Sequence, residues 1–270
     1  MVVHEVILDY KVKEICAVNG GAYGGNRVNE KFITLLKELL GPGFIERFQI
    51  EEPLQWFNFM SKFERAKKMI ENDGKSKMRV EIPWSLAGKY ASFRHGNSLK
   101  RTLTDAKERG VSLSAGGTLV LSHEAVRELF RETIEHIVQG VKDIFDNDAI
   151  EKINCIFMVG GFCECKFLQK AIKEVFDKNG CRVLVPHEAQ LAIVKGAVLF
   201  GHYQDQVVSR IARKTYGADV AANFDPEIHD QSKYYADLDG DARCNIFTSF
   251  VEIGEEIKIN SSIEKNVRNV

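Results

Sequence analysis

The sequence predicts an α/β fold built on a parallel strand pair joined by a crossover helix. Three observations carry that expectation. Residues 153–159 form an apolar run broken only by Asn154, the mark of a strand buried on both faces, and Gly160-Gly161 follows directly. A helical stretch from about Lys166 to Lys178 leads into a second β-prone run at 181–185. Pro186-His187-Glu188 then opens a further helix through Leu191, Val194, Val198 and Leu199 to Gly201. Strand, helix, strand, helix in that order makes the two strands parallel.

The remaining elements follow from periodicity. Residues 2–8 and 12–18 read as two strands of a hairpin, joined by Asp9-Tyr10-Lys11, with Val12, Cys16 and Val18 on one face. Gly20-Gly21-Ala22-Tyr23-Gly24-Gly25 precedes a helix from Asn26 to about Leu40, whose stripe is Val28, Phe32, Leu35, Leu36 and Leu39; Gly41-Pro42-Gly43 stops it. Residues 53–71 are helical, with Trp56, Phe57, Met60, Phe63, Ala66 and Ile70 as the buried stripe, ending at Asn72-Asp73-Gly74. A short strand is expected at 78–82, while 89–110 shows little periodicity. Thr118–Leu121 is a strand running into Ser122, a good N-cap, and the next helix reaches about Phe145. The last stretch is polar and acidic, with a strand at 245–251.

Composition sets outer limits. The chain has 270 residues, 44% hydrophobic and 28% charged, which excludes a disordered tail, a collagen repeat and a coiled-coil rod and fits one large domain or two small ones. A net charge of −1 gives no argument for nucleic acid or membrane as partner. No apolar run approaches the ~18 residues of a spanning helix, the N-terminus does not read as a signal peptide, and six cysteines without tandem spacing suit a reducing compartment. The expected location is cytoplasmic. Charge is nonetheless uneven: residues 61–110 carry 13 Lys/Arg against 6 Asp/Glu, and residues 219–257 carry 10 acidic against 2 basic side chains. Both blocks also read simply as solvated faces.

Three features could hold chemistry. The two glycine-rich strand-to-helix turns, at 20–25 and 160–161, let a ligand approach the backbone, and each helix N-terminus offers N–H groups and a dipole suited to phosphate. Taken singly, each is equally a tight turn without a ligand. Glu64, Lys67, Lys68 and Glu71 fall on one side of a helix; taken alone, that is an exposed face with charge pairs. Cys163-Glu164-Cys165 lacks a second pair at metal spacing, the Asp237–Asp241 carboxylates read as an acidic turn, and the seven histidines are scattered. No catalytic or metal-ligating residue is assigned.

The order of these motifs resembles one family. Phe157-Met158-Val159-Gly160-Gly161, a helix, then Val185-Pro186-His187-Glu188-Ala189 and Lys195-Gly196-Ala197 are similar to the adenosine-binding half of the actin/heat-shock-protein/hexokinase ATPases. Phe63-Glu64-Arg65-Ala66-Lys67-Lys68 resembles the purine-contacting helix of the 70 kDa heat-shock chaperones, and the Thr215-Tyr216-Gly217 region points to their divergent 12A/12B type. The resemblance runs over almost the whole chain.

That resemblance implies lobe II of an actin-like ATPase (ribonuclease-H-like) fold, lacking its first strand. Residues 1–45 and 118–204 would form the discontinuous core, 46–117 an inserted α+β subdomain contacting the purine, and 205–270 a C-terminal acidic extension. It implies ATP or ADP as ligand. Gly24 and Gly25 would approach the phosphates, Glu64 and Lys67 the ribose and Lys68 the adenine. Gly160 and Gly161 would contact phosphate and ribose through their backbone. Glu164 and His187 stand at further contact positions, where the family has an arginine and an aspartate. Both acidic phosphate loops are absent from the sequence, so Mg²⁺ and hydrolysis are expected only with a complementary lobe or partner protein. The chain reads as a fragment or partial paralogue of a chaperone-type protein. The alternatives are a nucleotide-independent interaction protein on the same scaffold, or a sugar-kinase-like enzyme. Without the missing strand, the hairpin is expected to pair with the 153–159 strand, or else open apolar edges remain.

Overall fold

The chain begins with the expected hairpin, shorter than its apolar pattern. In this computed structural model, which describes residues 1–178 and 180–264, β1 (His4–Val6) pairs antiparallel with β2 (Val12–Glu14), Val6 opposite Val12. The connection is a 3-10 turn with Asp9 and Tyr10 at positive φ, which uses up residues that would otherwise lengthen both strands.

Next comes a helical block. α1 (Gly25–Leu40) buries Val28, Phe32, Leu36 and Leu40, one residue per turn of a single face. It stops at Gly41, whose φ of 96° continues no helix. Pro42 then sits at the first turn of α2 (Pro42–Glu51), a helix the sequence reading missed because its glycine and proline look like a loop. α3 (Pro53–Met69) starts on a proline in the same way. Phe63 of α3 stacks on Phe32 of α1, ring centroids 3.9 Å apart and both rings fully buried, so these two helices share the centre of the core.

β3 (Met78–Glu81) leads to α4 (Trp84–Phe93), which buries Leu86 and Tyr90 and runs into the stretch where periodicity failed, and to α5 (Leu99–Asp105), two turns that bury Leu99 and Leu103 within it. β4 (Val111–Leu113) and β5 (Thr118–Leu121) complete a three-stranded antiparallel sheet in the order β3-β5-β4. α6 (His123–Phe145) is capped by Ser122, whose hydroxyl accepts from the Ala125 N–H as expected.

β6 (Cys155–Phe157), α7 (Lys166–Phe176) and β7 (Arg182–Leu184) form the expected parallel unit, with Ile156 opposite Val183. The expectation that 153–159 is buried on both faces is corrected. β6 pairs only with β7, in a two-stranded sheet, and Phe157 is 64% exposed. One ladder partner leaves an edge open, and the exposed Phe157 shows that a face is also left without packing, which depends on what lies over the sheet and not on strand pairing. α8 (Ala189–His202) follows. It is apolar on all sides, yet Ile193, Val194, Val198 and Leu199 are all exposed.

The C-terminal part is richer in strands than its composition suggests. β8 (Val207–Ile211), β9 (Tyr216–Asn223), β10 (Tyr234–Ala236), β11 (Ala242–Val251) and β12 (Glu256–Lys258) form two sheets with the hairpin: β1-β2-β8-β12 and β10-β11-β9. The parallel partner of β2 is β8, not a strand of the 153–159 region. Lys11 pairs with Asp205 at 2.9 Å and Glu14 accepts from the Ile211 N–H, so the ladder is reinforced by side chains.

Contacts gather the chain into two units. One holds residues 20–147 and 151–199; the other holds 1–19, 148–150 and the chain from Phe200 onwards. The hairpin groups with the C-terminal strands because β8 completes its sheet. The molecule is thus mixed α/β with several sheets. Among the described residues, no helix is long and apolar enough to cross a membrane.

Candidate functional site

The glycine turn before α1 is set by packing. Tyr23 folds back so that a Cβ on Gly21 would lie 2.5 Å from its ring. The ring stacks on His136 of α6, centroids 4.6 Å apart and planes within 6°. Gly24 is the N-cap of α1, has no side chain to offer the first N–H groups, and no acidic residue lies in the first turn. No side chain caps that helix end, and the Arg27 N–H donates back to Gly24 O at 3.0 Å, which leaves the positive end of the dipole without a side-chain acceptor. Gly25 is required by close approach: a Cβ there would meet Lys67 Nζ at 3.0 Å and the Phe162 ring at 3.2 Å.

Lys67 is the centre of the cluster. Its side chain leaves α3 inward, and the residue is only 3% exposed. Nζ donates to Gly25 O at 2.9 Å, Asn29 Oδ1 at 2.8 Å and Glu64 Oε1 at 2.8 Å, so all three of its donors have acceptors. Asn29 also donates to Glu64, which closes the network. Burial pushes the Lys67 ammonium below its ordinary pKa, while Glu64 opposes that shift. The ammonium lies 5.9 Å from the centre of the Phe162 ring.

The Gly160-Gly161 turn meets the same helix. Gly160 has φ 99° and ψ 166°, a conformation reserved in practice for glycine, and its N–H donates to Ala189 O at 2.8 Å. A side chain at Gly160 or Gly161 would meet nothing, so both face open space. The following 3-10 turn (Gly161–Glu164) carries Phe162 over Lys67 and places Glu164 Oε2 3.0 Å from Lys68 Nζ. Lys68 also reaches Gln190 on α8 at 3.4 Å. Cys165 Sγ donates to Lys67 O at 3.2 Å and Lys166 pairs with Glu71 at 2.6 Å, tying the end of α3 to this turn. The Cys163 thiol is pushed up to about 11, mainly by burial and secondarily by Cys165.

The structure thus brings Gly24, Gly25, Glu64, Lys67, Lys68, Gly160, Gly161 and Glu164 into one neighbourhood. His187 lies in the exposed turn between β7 and α8, beside Glu188, which has φ 56° and pairs with Lys195. Sequence reasoning assigned no contact to Asn29, Gln190 or the Tyr23–His136 stack, and marked Phe162 only as standing where the family has a small hydroxyl residue. Asn29 was within reach, since it lies one helical turn after Gly25. The other four become partners only through tertiary packing. Among the described residues, no group of three or more His, Cys, Asp or Glu side chains is placed to hold a metal ion.

Comparison with known proteins gives the kinship of this chain. The chain is homologous to the 12A/12B type of 70 kDa heat-shock protein. It is 31% identical to Heat shock 70 kDa protein 12A of Homo sapiens over 270 residues, 98% of this chain and 39% of that protein; the Mus musculus 12A protein gives the same figures. Identity to Heat shock 70 kDa protein 12B of Homo sapiens is 30% over 256 residues, 94% of this chain and 37% of that protein. The chain therefore spans about two fifths of the length of these relatives. No protein-family model matches it. The kinship implies an actin-like ATPase fold.

Proposed function

We propose that the chain supplies adenosine and phosphate contacts of an ATP-binding half of a chaperone-type, 70 kDa heat-shock-like protein. The observation that carries this reading is the convergence of two glycine turns, from distant parts of the sequence, on the last turns of α3. The N-terminus of α1, which no side chain caps, and the open space beside Gly160-Gly161 suit phosphate oxygens, although the Gly160 N–H itself is given to Ala189 O. Lys68, Glu164 and Gln190 form a rim of donors and acceptors suited to the polar edge of a purine. Glu64, with its side chain 38% exposed, retains an oxygen for a sugar hydroxyl. Lys67 serves the site as a brace: its donors hold Gly25, Asn29 and Glu64 in place. His187, in the exposed turn before α8, is a further contact in this reading.

In this reading residues 46–117 are the inserted subdomain, carried by the purine-facing helix, and 205–270 lie beyond the nucleotide-binding core. When bound with nucleotide, Mg²⁺ supplies charge neutralisation at the phosphates. In this reading the chain's own part is to bind and orient the nucleotide. Equilibrium titration with fluorescent ATP and Mg²⁺ tests the reading. Micromolar binding, weakened at least tenfold by Lys68→Glu, supports it. No binding up to millimolar nucleotide favours the second reading, an interaction protein on the same scaffold; the exposed apolar surface of α8 is the observation that speaks for that alternative.

A further inference from the structure

Away from the glycine turns, α2 and α4 enclose a cleft of about 350 Å³. Its base is aromatic: Phe44 and Phe48 are buried behind it, and Phe93, 36% exposed, is the ring it presents. Its walls are Arg47 and Lys89, held by Glu51 at 2.5 and 2.7 Å, with Ser92 at the mouth.

The chain leaves this cleft through a cationic corner. Residues 89–101 contain four Lys/Arg and His95 but no Asp or Glu. Lys89 is paired with Glu51 and Glu52, whereas Arg94, Lys100 and Arg101 have no carboxylate partner among the described residues. Every residue from Ser92 to Ser98 is exposed. The corner is nevertheless a built turn. His95 and Gly96 both take positive φ, the Gly96 N–H donates to Ala91 O at 2.8 Å, and Ser98 caps α5 by accepting from the Arg101 N–H.

We propose that this surface docks an acidic linear segment of a partner protein, with one bulky apolar side chain seated on Phe93 in the cleft and carboxylates lying along Arg94, Lys100 and Arg101. Charge complementarity selects the occupant. Three unpaired cations next to an apolar seat match a short acidic peptide with one anchor. A nucleic acid would draw on the three cations alone, with no bulky apolar side chain for the seat, and the oligothymidylate below reads that outcome. The proposal is independent of the nucleotide reading, because none of its residues belongs to the Lys67 cluster.

The test is fluorescence polarisation on the full chain. The probes are a short labelled peptide of Asp and Glu around one central Phe, the same peptide with Ser in place of Phe, and an oligothymidylate of equal length. The Phe peptide is expected to bind saturably, at least tenfold more tightly than the Ser peptide, and more weakly as salt rises. Arg94→Glu/Lys100→Glu/Arg101→Glu is expected to weaken it at least tenfold. Ser92→Trp, which fills the mouth, is expected to remove the advantage of the Phe peptide while leaving the charge-driven part. Absence of binding, equal binding of Phe and Ser peptides, tighter binding of the oligothymidylate, or indifference to both variants would overturn the proposal.

Discussion

Replacing Lys67 by methionine tests whether this side chain braces the glycine turn. Methionine matches the length of the stem and fills the buried space, so little cavity is created. The ammonium disappears, and Gly25 O, Asn29 Oδ1 and Glu64 Oε1 each lose a donor at 2.8–2.9 Å. Leaving a buried acceptor without a partner costs about 1–3 kcal/mol. Glu64 is 38% exposed and can rehydrate, so its share is discounted. Removing the desolvated ammonium gives part of the loss back. The balance is a destabilisation of about 2 kcal/mol, toward a thirty-fold shift in the folding equilibrium. Urea unfolding followed by the fluorescence of Trp56, which lies on α3 itself, reads that unit in a Trp84→Phe background. Adding Glu64→Gln to Lys67→Met should recover part of the loss, because it removes the unpaired carboxylate. A Lys67→Met chain within about 0.5 kcal/mol of the parent would refute the brace.

Other expectations follow from the same geometry. Gly160→Ala should cost about 1–3 kcal/mol through backbone strain alone, since its Cβ meets nothing, whereas Gly24→Ala, at φ −80°, should stay within about 0.5 kcal/mol; equal effects in urea melts would contradict the assigned backbone. With its pKa pushed up to about 11, Cys163 should alkylate at pH 8 about 100-fold more slowly than a thiol at the ordinary 9.0; mass-spectrometric timing with iodoacetamide checks this. Lys89 and then Arg47 hold the Glu51 carboxyl below its ordinary 4.5, so its contribution to stability is present above that pH and is lost as pH falls through the lower folded value. Glu51→Gln should therefore flatten the acid limb of the stability–pH profile, and an unchanged limb would count against the Lys89–Glu51–Arg47 tie.

Much of this architecture was legible from local chemistry. The caps, stripes and stops of α1 and α6 follow from Gly41 and Ser122 and from apolar residues on one helical face, because helix periodicity and capping are short-range; in α3 the expected stripe is corrected, since Phe57 is 66% exposed and Phe59 is buried in its stead. The parallel pairing of β6 with β7 followed in the same way from the alternation of strand and helix. The glycine turns, and the identities of Lys67, Lys68 and Glu164 as charged residues beside them, were equally visible. α2, α4 and most C-terminal strands were not. α2 begins on Gly-Pro, which reads as a loop, α4 follows Pro83 with a stripe of only Leu86 and Tyr90, and β8 is fixed by a ladder partner far away in sequence.

Tertiary structure alone decided what those residues do. Sequence put Lys67 and Lys68 side by side as equivalent cations on one helix. Packing buried the first among three acceptors and left the second at the rim with Glu164 and Gln190. An apolar run fixed the strand at 155–157 but not its burial, which depends on what lies over the sheet, and here Phe157 stays exposed. Sequence determines the local conformations a backbone prefers. Which polar groups lose water, and which partners then satisfy them, is set by segments brought together over long chain separations.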